Sequence, residues 1–276
     1  MTISQSLQRT ADYLSGLPGI RQLDLKAHRN RFLGNQENNL FWGVFNTFDQ
    51  AAQSAPQGLK LGYDNQESAS IPYTSAISPR DYPAMFWLLR SLNDGMRSIF
   101  DLGGHTGVKY YAFRRTMNFP NDLQWTVCDV PAVVERGKQM AADRAPEGNL
   151  RFTDNYALAG RHDILFASGS LQYLPVTLSD LLKGLETLPA RIVVNTTPIH
   201  DTQSFFTLNS IGTAFCPYRI QARAAFVASV TALGYRKLDE WENVGKGLQI
   251  PGHSDHDVAA YSGFCFERTQ QVAAKG

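Results

Sequence analysis

The feature that most limits the fold is "SIFDLGGHTG", Ser98 to Gly107, where a short apolar run ends in an acid and passes directly into a turn carrying Gly103, Gly104 and Gly107. Further apolar runs follow, "WTVCD", "LRFTD", "DILFAS" and "RIVVN", and helical text such as "PAVVERGKQMAADRA" and "TLSDLLKGLETL" separates several of them. Strands alternating with helices predict a parallel, doubly wound sheet of the α/β class. "YRIQARAAFVASVTALGY" reads as one long helix, and "RKLDEWEN" and "YSGFCFER" read as two closing strands. Ahead of residue 96 the texture differs. Apolar periodicity at Leu7, Tyr13 and Leu14, then "FWGVFNTFDQAAQSA" and "DYPAMFWLLRSLNDG", read as amphipathic helical pieces. The expected organisation is a helical cover over residues 1–95 and a ligand-binding Rossmann-like domain over 96–276.

Composition narrows the partner. A chain of 276 residues that is 43% hydrophobic and 18% charged can bury a full core, and a formal net charge of +1 without a basic block argues against nucleic acid. The expected partner is a small molecule, with a homodimer left open. The start "MTISQSLQRTADYL" does not resemble a signal peptide, and no run of about 18 apolar residues predicts a membrane span, so the expected compartment is the cytoplasm. Cys128, Cys216 and Cys265 lack paired spacing and read as buried thiols. "HSDHD", with His253, Asp255, His256 and Asp257, has a metal-like composition but sits in a polar loop, so no metal site is expected.

In an open α/β sheet, ligands lie beyond the carboxyl ends of the strands, and glycines let the backbone approach them. A dinucleotide fingerprint would place glycine at the third position from Gly103, where this chain has His105. Asp101 before the turn would repel a pyrophosphate but suits a cation such as S-adenosylmethionine, which carries a sulfonium and an α-ammonium. Asp129 ends the next strand, where an acid can accept both ribose hydroxyls; it can equally start the helix at Pro131. Asp154 and Asn155 after the third strand could meet the adenine amino group, with Tyr156 stacked on the base, although Asp-Asn is also ordinary turn chemistry.

From Ile99 onward, the order D-x-G-G-x-x-G, "VCDVPAVVE", "TDNY" and "ILFASGSLQYLP" resembles the class I S-adenosylmethionine-dependent methyltransferases, especially O-methyltransferases with Asp-x-Pro after the second strand. That resemblance implies a seven-stranded sheet whose last strand, "YSGFCFER", is antiparallel. It also implies a nucleoside pocket of Asp101, Gly103, Gly104, Gly107, Asp129, Val130 and Asp154. "FWGVFNTFDQA", "LGYDNQ" and "GGHTGVKYYAFRR" together resemble a methyltransferase-like family of surface-polysaccharide and natural-product gene clusters. Its relatives include enzymes that close S-adenosylmethionine into azetidine-2-carboxylate and release methylthioadenosine.

The resembling O-methyltransferases keep a general-base histidine after the fourth strand, where this chain has Gln172 and Tyr173, neither a ready base near neutral pH. Cyclisation is therefore placed ahead of methyl transfer to a small-molecule hydroxyl or amine. His200 after the fifth strand is a substitute base or a plain loop histidine. Ring closure needs a folded aminobutyrate arm, and aromatic faces can shape it while stabilising the sulfonium. Candidates are Tyr73, Tyr110, Tyr111, Tyr156 and Tyr173, with Tyr73 and Tyr173 preferred for the reacting end and Tyr111 grouped with the nucleoside. Ser168, Gln172 and Asn195 are expected to hold or steer the amine. Arg114 and Arg115 read as a surface pair, ahead of a role facing a substrate carboxylate. A non-catalytic S-adenosylmethionine sensor and a nicotinamide or nucleotide-sugar enzyme are the rival classes.

Overall fold

The computed structural model describes residues 18–73, 76–145 and 147–269. The apolar periodicity at Leu7, Tyr13 and Leu14 lies outside them. In chain order the front part holds α1 (Pro18–Gly34), β1 (Asn38–Phe45), α2 (Phe48–Gln53), α3 (Gln66–Ala69) and α4 (Tyr82–Asn93). The alternating part follows with β2 (Ser98–Leu102), α5 (Val108–Phe113), β3 (Gln124–Cys128), α6 (Pro131–Arg144), β4 (Leu150–Thr153), β5 (Ile164–Ser168), α7 (Leu178–Lys183) and β6 (Arg191–Thr197). Last come β7 (Ile199–His200), β8 (Phe205–Ile211), β9 (Phe215–Ala222), α8 (Arg223–Thr231), β10 (Tyr235–Asn243) and β11 (Tyr261–Arg268).

The large sheet has seven strands in the order β10, β11, β6, β5, β2, β3, β4. Pairing is parallel from β6 through β4, and β11 runs antiparallel to both β6 and β10. This is the class I methyltransferase fold, with the expected strand antiparallel. One hydrophobic cluster, built on Leu88, Trp125 and Phe166, covers one face, and another, built on Phe100, Leu182 and Phe226, covers the other. Burial on both faces explains why these strands read as unbroken apolar runs. The order reverses around β2, whose neighbours are β3 and β5, so the crevice of the fold opens at the end of "SIFDL".

Two helical readings are corrected. "FWGVF" is the end of strand β1, because Gly43 sits at φ +77, outside any helix, and Thr47 caps α2 only from residue 48. "YRIQA" is the end of β9, with Tyr218 and Ile220 buried and Arg219 and Gln221 more open, which is the alternation of a strand. These two segments belong to a second sheet, β1, β8, β9, β7, that the sequence reading did not anticipate. β8 and β9 form a hairpin across Gly212 at φ +79, and β1 pairs antiparallel with β8. The front segment is therefore not purely helical, and its strand is completed by residues 205–222.

Candidate functional site

The turn after β2 is held from inside. Gly103 has φ +71, its N–H donates to the Cys128 carbonyl at 2.7 Å, and a β-carbon there would overlap Ser170. A β-carbon on Gly104 would overlap the Asp101 carboxylate, which lies directly beneath it. Asp101 is 1% exposed and accepts a hydrogen bond from Trp125 Nε1 at 3.0 Å. Burial drives its carboxyl up to about 7, against the opposing Trp125 bond. Its place before the glycine turn predicts a grip on the ligand; its side chain instead lies inside the protein against Trp125, where it shapes the turn. His105 adopts φ +52, a left-handed position that ordinarily selects glycine.

His105 is the main site residue that sequence reasoning missed; its signal was a side chain at a glycine position of the turn. Its backbone N–H donates to Asp129 Oδ2 at 2.8 Å, and its Nε2 lies 3.1 Å from the Ser68 carbonyl, a geometry that places the ring proton on Nε2. Burial lowers its pKa, so the ring is held neutral. Tyr73 packs edge-on against it, ring centroids 4.7 Å apart. Asp129 also accepts from the Val130 N–H at 2.8 Å, and burial raises its carboxyl pKa. Each carboxylate oxygen keeps a lone pair for a further donor. Asp64, from "LGYDNQ", accepts from the Ala132 N–H at 3.2 Å and raises the Asp129 pKa from close by. Asp101, Asp129 and Asp154 all bear electrostatically on Cys128, whose thiol is pushed up to about 12 chiefly by burial. Acids thus stand at three successive strand ends.

A second group, rich in tyrosine, lies between the small sheet and the end of β5. Tyr173 meets Tyr63 and Tyr218 edge-on, each at 5.0 Å between centroids, and its hydroxyl donates to Asn209 Oδ1 at 3.3 Å. Tyr218 and Tyr261 share a hydroxyl hydrogen bond at 2.8 Å. Burial drives the Tyr63, Tyr173, Tyr218 and Tyr261 phenols above their ordinary range, so they stay protonated. The Gln172 amide adjoins the Tyr218 hydroxyl, and its Oε1 is buried with no partner. Tyr63 and Tyr73 lie close enough to bear electrostatically on one another, which brings the tyrosine group up to the glycine turn through the Tyr73–His105 contact.

Other expected residues fall elsewhere. Asn195 is fully buried: its Nδ2 donates to the Arg80 carbonyl and Ser168 Oγ, and its Oδ1 accepts from Trp241 and Asn243. It is a structural node with no capacity left to steer an amine. Ser168, half-buried, is one of its partners. Tyr111 packs on Gly107, Tyr110 and the Arg144 guanidinium. Asn155 caps a 3-10 turn through Ala157 N–H, and Asp154 and Tyr156 are exposed beside it, with Tyr156 near enough to Asp129 for that acid to raise its pKa. His200, at the end of β7, accepts from the Thr202 and Gln203 N–H groups through Nδ1 and meets the Asp255 carbonyl through Nε2, so both ring nitrogens are engaged, which weighs against its reading as a substitute base. His256 pairs with Asp255 at 3.0 Å and packs on Phe205. The three cysteines are free and buried, as expected. Among the described residues no helix is long and apolar enough to cross a membrane.

No protein-family model matches the chain, and no curated protein matches it. Solved structures match at low identity. A 1,6-didemethyltoxoflavin-N1-methyltransferase of Burkholderia thailandensis, solved with S-adenosylhomocysteine, is 14% identical over 69% of this chain and 79% of its own, with a TM-score of 0.46. A methyltransferase of Streptomyces caelestis is 14% identical over 74% of this chain and 96% of its own, at 0.45. A protein of Pyrococcus horikoshii is 12% identical over 75% of this chain and all of its own, at 0.47.

Proposed function

We propose that this chain binds S-adenosylmethionine at the carboxyl ends of β2, β3 and β4 and transfers its methyl group to a small molecule. The observation that carries the reading is Asp129, held by two backbone N–H groups at the end of β3 beside the glycine turn and flanked by Asp64, Asp154 and Tyr156. A carboxylate so held accepts ribose hydroxyls, and an edge with this many acids favours a cationic ligand over a phosphate. The donor set therefore fits the nucleoside. Bound there, S-adenosylmethionine supplies carbon activated by an adjacent sulfonium. The protein's part is to orient, to exclude water, and to present aromatic faces to the positive charge, a part this reading gives to Tyr73, Tyr63 and Tyr173, which cluster beside the turn.

A second reading is cyclisation of S-adenosylmethionine itself to azetidine-2-carboxylate with release of methylthioadenosine. It is favoured by the chemistry of the tyrosine group, whose Tyr173 and Tyr218 phenols are held protonated by burial and so do not serve as bases. An amine that already carries its lone pair needs no such base.

Calorimetry with S-adenosylmethionine, followed by mass spectrometry of the incubated mixture, tests both readings. Binding, with S-adenosylhomocysteine formed only after a small-molecule acceptor is added, supports methyl transfer. Methylthioadenosine from S-adenosylmethionine alone supports cyclisation. Absence of heat with the wild-type protein, or an Asp129→Asn variant that binds as tightly as wild type where about a tenfold loss is expected, rejects the site.

A further inference from the structure

The tyrosine group contains an anomaly that packing does not explain. Gln172 is 4% exposed, it sits in a one-turn 3-10 helix (Leu171–Tyr173) after β5, and its carbonyl oxygen Oε1 meets no donor. Leaving such an acceptor unpaired costs stability, and native interiors rarely tolerate it without a compensating use. Other polar side chains of the group are paired: Tyr173 bonds Asn209, Asn209 Nδ2 donates to the Leu40 and Ser210 carbonyls, and Tyr218 bonds Tyr261. A leucine or methionine at position 172 would fill the same volume without an orphan.

Resting on the proposed S-adenosylmethionine site, we infer that Gln172 Oε1 accepts a hydrogen bond from the nitrogen that attacks the activated carbon, so that the substrate of this site is an amine. An amide oxygen positions an N–H but does not remove a proton from a hydroxyl, which matches a site whose phenols are held neutral by burial. Burial among rings also disfavours the ammonium form and leaves the nitrogen lone pair free. In the step, that lone pair forms the new N–C bond. The C–S bond breaks with its electrons on sulfur, which becomes a neutral thioether, and the surplus proton leaves nitrogen for solvent. The attacking amine belongs to a second molecule, held next to the activated carbon.

Two non-reacting probes separate this inference from the site reading: S-adenosylhomocysteine, and sinefungin, in which an amine-bearing carbon replaces the methylated sulfur. By calorimetry the wild type is expected to prefer sinefungin. Gln172→Leu is expected to lose about tenfold of that preference while its affinity for S-adenosylhomocysteine stays within about threefold. Gln172→Glu, which places a carboxylate against the probe's ammonium, is expected to increase the preference. A structural role alone would weaken both probes together in both variants. An equal preference in wild type and Gln172→Leu overturns the inference, as does an unchanged or lower preference in Gln172→Glu, which remains readable if the leucine variant does not fold. No heat from either probe in the wild type overturns the site reading and this inference with it.

Discussion

Asp101→Asn separates an acid that shapes the turn from one that holds the ligand. The carboxyl titrates near 7 in the folded chain, against about 3.9 in an unfolded one. Between roughly pH 4 and 7 the folded state therefore keeps a proton that the unfolded state has lost, and unfolding free energy falls as pH rises through that window. At about 1.4 kcal/mol per unit over about three units, the contribution reaches about 4 kcal/mol by pH 8. The amide introduced by Asp101→Asn does not titrate, and its oxygen can still accept from Trp125 Nε1, as the carboxylate does at 3.0 Å. Other groups titrate too, with burial lowering the pKa of His105 and His162 and raising that of Asp129, but they remain in both proteins and largely cancel in the difference. The assay is urea unfolding from pH 4 to 8, followed by tryptophan fluorescence, in wild type and variant. The wild type should lose about 4 kcal/mol relative to Asp101→Asn across the range, with S-adenosylhomocysteine affinity at pH 8 changed less than about threefold. Parallel stability curves, or intact stability with abolished ligand affinity, would show that this acid faces the ligand after all.

Gly103→Ala should destabilise by about 3 kcal/mol, combining left-handed strain with the overlap on Ser170. Adding Ser170→Gly should restore about half of that, and denaturant melts showing simple additivity would refute the overlap. Thr196 is β-branched at φ +53 at the carboxyl end of β6, so Thr196→Gly should raise stability by about 1 kcal/mol, read as a higher melting temperature; a lower one would show that its side chain outweighs the strain.

The large sheet was legible because its information is local. Fully buried parallel strands are continuous apolar runs, and the acid and glycines that end β2 mark a turn whatever packs around it. The same locality misled at "FWGVF" and "YRIQA", where aromatic and alternating segments became strands only because β8 lay between them to pair with both. β-Propensity is realised through such partners, and the partner of residue 42 is residue 208.

The site divides along the same line. The chain's own order sufficed to place Asp129 at a strand end and tyrosines nearby, since strand ends and turn chemistry are set by neighbours in sequence. Which way each side chain faces was decided by contacts across the fold. Trp125 draws Asp101 inward, Arg80, Trp241 and Asn243 occupy Asn195, and the Ser68 carbonyl fixes the His105 ring from 37 residues away. A carboxylate reads the same in sequence whether it meets solvent, a ligand or an indole; only the packed interior, where each buried polar group must find a partner, distinguishes among them.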